Sequence, residues 1–229
     1  MSTTLKHLAL IPDGNRRWAK SVNRGVLDGH RVVVDKVFPE LVSEALALKL
    51  PYFTIWGFST ENWRRSPMEI EGILTLVKMF LTDFAMRLKS QGVRLNFIGR
   101  RNNLPADLNK LINQALATTA TGTAMTLTIA YNYGGRDEIV RAANALLQEQ
   151  VSEITLANLS QALDTGMTNL PDPDLIIRTG GEQRLSGFMS WQAAYSELYF
   201  SAKMMPEWTR QDLRLAVAEY ANRQRRFGK

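Results

Sequence analysis

One carboxylate stands among cations near the start of the chain. In LALIPDGNRRWAK, Asp13 follows an apolar run and is trailed by Gly14, Asn15, Arg16 and Arg17. A lone acid in such company is a donor set for a polyphosphate. One carboxylate holds a hard cation such as Mg2+ when phosphate oxygens and waters complete its shell. Guanidinium groups add charge-assisted bonds to phosphate, and glycine lets backbone amides approach it. Arg65, Arg178 and Arg184 each lie within two residues of a serine, glycine or acid at distant points of the sequence. Singly, each reads as a solvated surface charge; together they would furnish two phosphate subsites. The turn chemistry of Pro12-Asp13-Gly14-Asn15, alone, would only end a strand.

The surrounding elements are of a kind that gathers distant loops. Apolar runs predict strands at 7–11, 52–58, 93–98, 125–131, 175–178 and 197–200, several of them continuous, as strands buried on both faces require. Helical spacing predicts a helix over 68–88, with Ile73, Leu74, Val77, Leu81, Phe84 and Leu88 on one stripe, and others over 31–48, 106–117, 137–148 and 210–223. Pro39 should kink or divide the helix at 31–48, and Thr209 with Asp212 reads as a capping box. Alternating strands and helices imply an α/β fold: a single domain over 1–229 with a six-stranded, mainly parallel sheet flanked by helices. Ligands of such sheets bind beyond the carboxyl ends of strands. The polar clusters after Ile11, Phe58 and Arg178 fall at that edge. Pro171-Asp172-Pro173-Asp174 reads as a rigid turn before a strand, and Gly134-Gly135 as a tight turn.

Composition removes several classes of function. Among 229 residues, 45% hydrophobic and 22% charged content is ordinary for a globular chain and leaves no long disordered tract. With no cysteine, and His7 and His30 as its two histidines, the chain cannot build disulfides or thiolate zinc sites. No run approaches the roughly 18 apolar residues of a membrane span, and residues 1–6 are too short and polar for a signal peptide, so a cytoplasmic protein is expected. A net charge of +6 favours anionic partners. Because the arginines are spread through separate motifs rather than gathered in a stripe or tail, nucleic acid is not expected. GxxxxGK[ST] and GxGxxG are both lacking.

The motifs IPDGNRRWAK, FSTENWRRS, IAYNYGGR, IRTGGEQRLSGF, WQAAYSELYF and the terminal RRFG, in this order, resemble the cis-prenyltransferases of the undecaprenyl diphosphate synthase family. The resemblance spans nearly the whole chain. It implies Mg2+-dependent condensation of an allylic prenyl diphosphate with isopentenyl diphosphate in a homodimer. It places Asp13 at the metal, with Gly14, Asn15, Arg16, Arg17, Trp18 and His30 around the allylic diphosphate. Ser59, Thr60, Glu61, Trp63 and Arg65 would line the reacting centre. Arg178, Arg184, Leu185 and Ser186 would take isopentenyl diphosphate, and Glu197 would be a second metal ligand serving across the dimer. Asn62 matches the family's participant in proton removal, although a neutral amide is a poor base.

The match has departures. Val26 stands where the family carries an arginine, Val33 where it carries a glycine, and Gln183 where a histidine is usual. These changes surround the allylic site and keep open irregular, branched coupling of dimethylallyl diphosphate; a catalytically silent subunit is a further alternative. The segment 68–88 carries no extra charged insertion of the sort associated with very long products, so a short or medium product is expected. The apolar stripe of 70–88 facing 52–58 would supply a dry tunnel, and an insoluble product makes transient membrane contact an expectation.

Overall fold

The computed structural model describes residues 5–223. Its strands occupy the predicted runs: β1 His7–Ile11, β2 Tyr52–Ser59, β3 Val93–Ile98, β4 Met125–Tyr133, β5 Leu175–Arg178 and β6 Glu197–Phe200. They form one sheet in the order β3-β4-β2-β1-β5-β6, with every pair parallel. β1 and β5 are buried along their whole length, which is why 8–11 and 175–177 read as apolar runs, with His7 and Arg178 only at the strand ends. β2 and β4 reach one and two residues beyond the expected ends because the ladder continues through Ser59↔Tyr133.

The helices are α1 Asn15–Ser21, α2 Val26–Val32, α3 Phe38–Ala47, α4 Pro67–Ser90, α5 Ala106–Thr119, α6 Gly135–Gln148, α7 Leu156–Ala162, α8 Asp164–Met167 and α9 Arg210–Ala221. The expected helix at 31–48 begins earlier and is divided: α2 passes into a π turn, Val33–Val37, before α3 restarts with Pro39 in its first turn, where the missing N–H breaks no hydrogen bond. α4 packs Ile73, Leu81, Phe84 and Leu88 into the core with Phe53, Ile55 and Phe58 of β2. α9 opens on the expected box, with Thr209 Oγ1 accepting from Asp212 N–H at 3.4 Å and the Asp212 carboxylate accepting from Thr209 N–H at 3.0 Å. Among the described residues no helix is long and apolar enough to cross a membrane.

At the amino edge of the sheet the fold is stapled by polar side chains. Asp174, closing the Pro-Asp-Pro-Asp turn, accepts from the backbone N–H of Lys6 and His7 at 2.9 and 3.1 Å. His7 is fully buried, with ring nitrogens 2.6 Å from Pro171 O and 2.7 Å from Thr54 Oγ1. Burial pulls its pKa down to about 4, so this imidazole is a neutral strut. The opposite, carboxyl edge is left open.

Candidate active site

Three loops meet at that carboxyl edge, each fixed by backbone groups. Thr179, following β5, accepts from Asp13 N–H at 2.8 Å and donates to Asp13 O at 2.7 Å. Met205 N–H donates to the same carbonyl at 3.0 Å. Gly14 takes a left-handed φ of +99°, which a residue with a β-carbon adopts only at a cost, and its N–H donates to Asp13 Oδ1 at 2.6 Å. The main chain at Asp13 is thus determined before any ligand arrives.

The other carboxylate oxygen faces cations. Arg178 Nη2 donates to Asp13 Oδ2 at 2.9 Å, and Arg17 Nη2 stands 3.4 Å away. Arg178 is nearly buried; its Nη1 donates to Ser186 Oγ at 2.8 Å and to the Arg184 carbonyl. On the facing wall Glu69, buried in the first turn of α4, pairs with Arg65 at 3.0 Å and Arg16 at 3.8 Å. Those two arginines flank His30. Burial first, then the Arg65 and Arg16 charges, hold His30 down to about 4, so its ring is neutral at physiological pH. Three buried polar atoms at this end have no protein partner: His30 Nε2, Asn15 Oδ1 and Arg178 Nε. Buried polar groups are otherwise almost always paired, and unpaired ones converging on a cleft mark the place of a ligand.

Asp13, Asn15, Arg16, Arg17, His30, Arg65, Arg178 and Ser186 line one end of a cavity of about 920 Å³, with Glu69 and Thr179 behind them. Gly14, Ser59, Glu61 and Asn62 line it as well. Away from the charges its walls become hydrocarbon and aromatic, with Phe38, Ile73, Val77, Phe80, Leu95 and Tyr131. A cationic, hydrogen-bonding mouth therefore opens directly into an apolar chamber, as the stripe of 70–88 facing 52–58 led one to expect.

Other expected residues sit beside the cavity instead of in its wall. Trp63 donates its indole N–H to Asn132 Oδ1 at 2.8 Å and packs edge-on against Phe58, so it buttresses the 60–64 turn. Thr60 abuts Gly134. Trp18 lies under the Arg24 guanidinium, 6.0 Å from the ring centre. Arg184 is largely exposed and pairs with Glu182 at 2.5 Å, while Leu185 packs into the smaller core cluster. Asn62 Oδ1 accepts from Ser59 N–H at 3.1 Å, which engages the one basic atom of that amide. Glu197 opens β6 opposite Leu175, three residues down the ladder from the Arg178 level, or about 10 Å. Its carboxylate pairs with Arg223 at 2.9 Å. Within one chain Glu197 is not brought to Asp13, and the terminal RRFG lies outside the described residues.

Sequence reasoning missed Glu69 and Thr179. The first carried a signal, since Arg65 and Glu69 are an i,i+4 pair at the start of a helix; the second had only its place beside Arg178. For a metal, Asp13 offers a carboxylate one-third exposed at the cavity mouth. Among the described residues no three His, Asp or Glu side chains converge on a cation. The donor set therefore fits a hard cation held by one carboxylate with ligand phosphates, not an all-protein cage.

The comparisons agree with this geometry. The family model described as "Putative undecaprenyl diphosphate synthase" matches residues 11–228. The isoprenyl transferase of Rickettsia bellii is 42% identical over 227 residues, covering 99% of both chains. That of Agrobacterium fabrum is also 42% identical, over 99% of this chain and 93% of its own. Lavandulyl diphosphate synthase from Lavandula x intermedia, solved with dimethylallyl diphosphate, superposes with a TM-score of 0.95 at 36% identity, covering 99% of each chain. A probable undecaprenyl diphosphate synthase from Campylobacter jejuni superposes with a TM-score of 0.84 at 32% identity over 99% of this chain and 100% of its own. The chain belongs to the undecaprenyl diphosphate synthase family of isoprenyl transferases, enzymes that transfer alkyl groups other than methyl.

Proposed function

We propose that this protein condenses isopentenyl diphosphate with a short or medium allylic prenyl diphosphate, Mg2+-dependently, to give a cis prenyl diphosphate. The observation that carries the reading is a continuous cavity of about 920 Å³, cationic at one end and apolar at the other. Pockets of this order take one drug-sized ligand, which suits a diphosphate carrying a modest hydrocarbon tail.

In this reading Arg16, Arg17, His30, Asn15 and the Gly14 amide receive the allylic diphosphate, with Trp18 behind them. Arg178, Arg184, Leu185 and Ser186 form the isopentenyl diphosphate side, where Arg178 is already held by Ser186. Ser59, Thr60, Glu61, Trp63 and Arg65 shape the junction. Asp13 would hold Mg2+, which, when bound, neutralises the charge of the leaving diphosphate. Arg16 and Arg17 stabilise the same departing anion. The apolar walls exclude water from the allylic cation while the alkene of isopentenyl diphosphate attacks it, and the proton then leaves to a phosphate oxygen. Asn62, with its carbonyl oxygen committed to Ser59 N–H, orients a phosphate or a water through its NH2 group. Glu197 would join the metal from a second copy in a homodimer, and the enzyme would work in the cytoplasm with transient membrane contact.

A second reading has its own support. Val26 lines the mouth where the family resemblance expects an arginine, and the lavender enzyme superposes more closely than the bacterial one. Both favour coupling of two dimethylallyl diphosphates. One experiment separates the readings: incubation with Mg2+ and dimethylallyl, geranyl or farnesyl diphosphate, with and without isopentenyl diphosphate, followed by mass spectrometry. Product that requires isopentenyl diphosphate supports elongation; product from dimethylallyl diphosphate alone supports irregular coupling.

A further inference from the structure

α2 is gripped on both flanks at glycines. On one side a β-carbon at Gly29 would lie 2.1 Å from Asn15 O, so α1 and α2 touch backbone to backbone. On the other side Gly72 of α4 receives the isobutyl group of Leu27. A β-carbon there would meet Leu27 Cδ1 at 2.3 Å, Cδ2 at 2.7 Å and Cγ at 3.0 Å. A glycine within a helix of 24 residues is a cost in helix propensity, and this notch accounts for it.

Between the two contacts α2 and the turn after it present Val26, His30, Val33 and Val34 to the cavity, a spacing that keeps them on one helical face. The π turn that begins at Val33 is the kind of local widening that recurs at functional sites. α4 supplies the opposite wall through Ile73 and Val77. The gap between α2 and α4 is therefore a dimension of the cavity, and Leu27 seated in the Gly72 notch fixes it.

We infer that the Leu27–Gly72 contact is a specificity determinant: by fixing how closely α2 approaches α4 it sets the length and bulk of the allylic prenyl chain the cavity accepts. The inference rests on the prenyl-transfer function proposed above. Neither residue touches the diphosphates in this reading; both act through the position of the α2 wall.

Gly72→Ala tests it directly. Leu27 Cγ lies 3.0 Å from the new β-carbon, so turning the methyl groups alone does not clear it; on this inference the clash is relieved by α2 moving outward, while alanine favours the α4 helix. Two ratios are read for farnesyl against dimethylallyl diphosphate: kcat/KM with isopentenyl diphosphate and Mg2+, and Kd with Mg2+ alone from tryptophan fluorescence. Gly72→Ala shifts both toward farnesyl diphosphate by about 10-fold, the scale at which hydrophobic pockets discriminate single carbons. The double variant Leu27→Ala/Gly72→Ala returns both to within about twofold of the wild type. Leu27→Ala alone, which introduces no clash, lets α2 settle toward α4 and moves the ratios toward dimethylallyl diphosphate. Ratios unmoved in folded variants, or a shift the double variant fails to reverse, overturn the inference. A wild type that turns over neither diphosphate removes the proposed reaction, while the Kd ratios still decide the role of the contact.

Discussion

The molecule contains two dense polar clusters, and they are built on opposite rules. Beside Tyr133 and α6, Arg100 and Arg141 share Asp137, Arg141 also clasps Asp164 through two bonds of 2.9 and 2.6 Å, and Glu138 accepts from Tyr133 O–H, Gln192 and the Asp164 N–H. One buried atom, Gln192 Oε1, lacks a partner there. At the cavity mouth Arg16, Arg17, Lys20, Arg24, Arg65 and Arg178 face Asp13, Glu61 and Glu69, and three buried atoms are unpaired. A closed network of complementary charges rigidifies a fold. A cluster with surplus cations and open donors awaits an anion. Density of charge alone would not have told the two apart; satisfaction of charge does.

Breaking the closed cluster should produce the largest change. Arg141→Ala leaves Asp164, 7% exposed at its side chain, as a buried carboxylate without its bidentate partner. The expected loss is about 3–5 kcal/mol of stability, read from urea unfolding, with turnover per folded molecule nearly unchanged. A variant as stable as the wild type would remove the distinction between the clusters. The open cluster should answer in the reverse sense. Asp13→Ala is expected to lower turnover per folded molecule at least about 100-fold, near 2.7 kcal/mol of barrier, a larger effect on activity than on the unfolding midpoint. The midpoint falls only as far as the nearly buried Arg178 loses one of its partners, since it keeps Ser186 and the Arg184 carbonyl.

The clusters also predict opposite responses to pH. Burial raises the Glu138 carboxyl to about 7 from its ordinary 4.5, so the native state keeps a proton that the unfolded chain releases, and stability falls as pH rises from 4.5 through 7. His30 is lowered to about 4 from its ordinary 6.5. The unfolded chain takes up a proton first, and stability falls as pH drops from 6.5 toward 4. Glu138→Gln should remove about 2 kcal/mol of the loss between pH 5 and 7, and His30→Gln should flatten part of the acid loss that it shares with His7. Unfolding curves of each variant at pH 5, 6 and 7 decide both signs.

What the sequence made legible follows the same division. β1 and β5 could be bounded to the residue because strands buried on both faces are apolar within, with His7 and Arg178 confined to their ends. The division of 31–48 at Pro39 was readable, and so was the Thr209 cap. α1 was not, because Pro-Asp-Gly-Asn reads as a turn, yet Gly14 turns the chain straight into a helix. α7 and α8 are short, and α7 buries no residue, so no apolar stripe marks it. At the site, loop positions were legible from the strand ends, but orientation was not. Trp63 and Arg184 stand in motifs and face away from the cavity. The Glu69–Arg16 and Arg141–Asp164 pairs join residues that only the fold brings near; Arg141 and Asp164 are 23 residues apart.

Tyr131 gives the finest test of the comparison. Its ring stacks on Phe58 at 5.1 Å and forms part of the apolar wall, yet its hydroxyl is buried without a partner. Burial pushes the phenol's pKa well up, so the group remains a neutral donor across the physiological range. An unmade hydrogen bond of this kind costs about 1–3 kcal/mol. If that cost is carried for the ligand, like those of His30 Nε2 and Arg178 Nε, then Tyr131→Phe should stabilise the free protein by about 1 kcal/mol. It should also lower kcat/KM for allylic diphosphate about fivefold, the same free energy lost from the complex. Gain of stability with unchanged kinetics would move Tyr131 out of the open cluster and restrict that cluster to the charged mouth. Loss of stability would show that the hydroxyl is paired in the free protein, and the aromatic wall would then belong with the closed, structural part of the molecule.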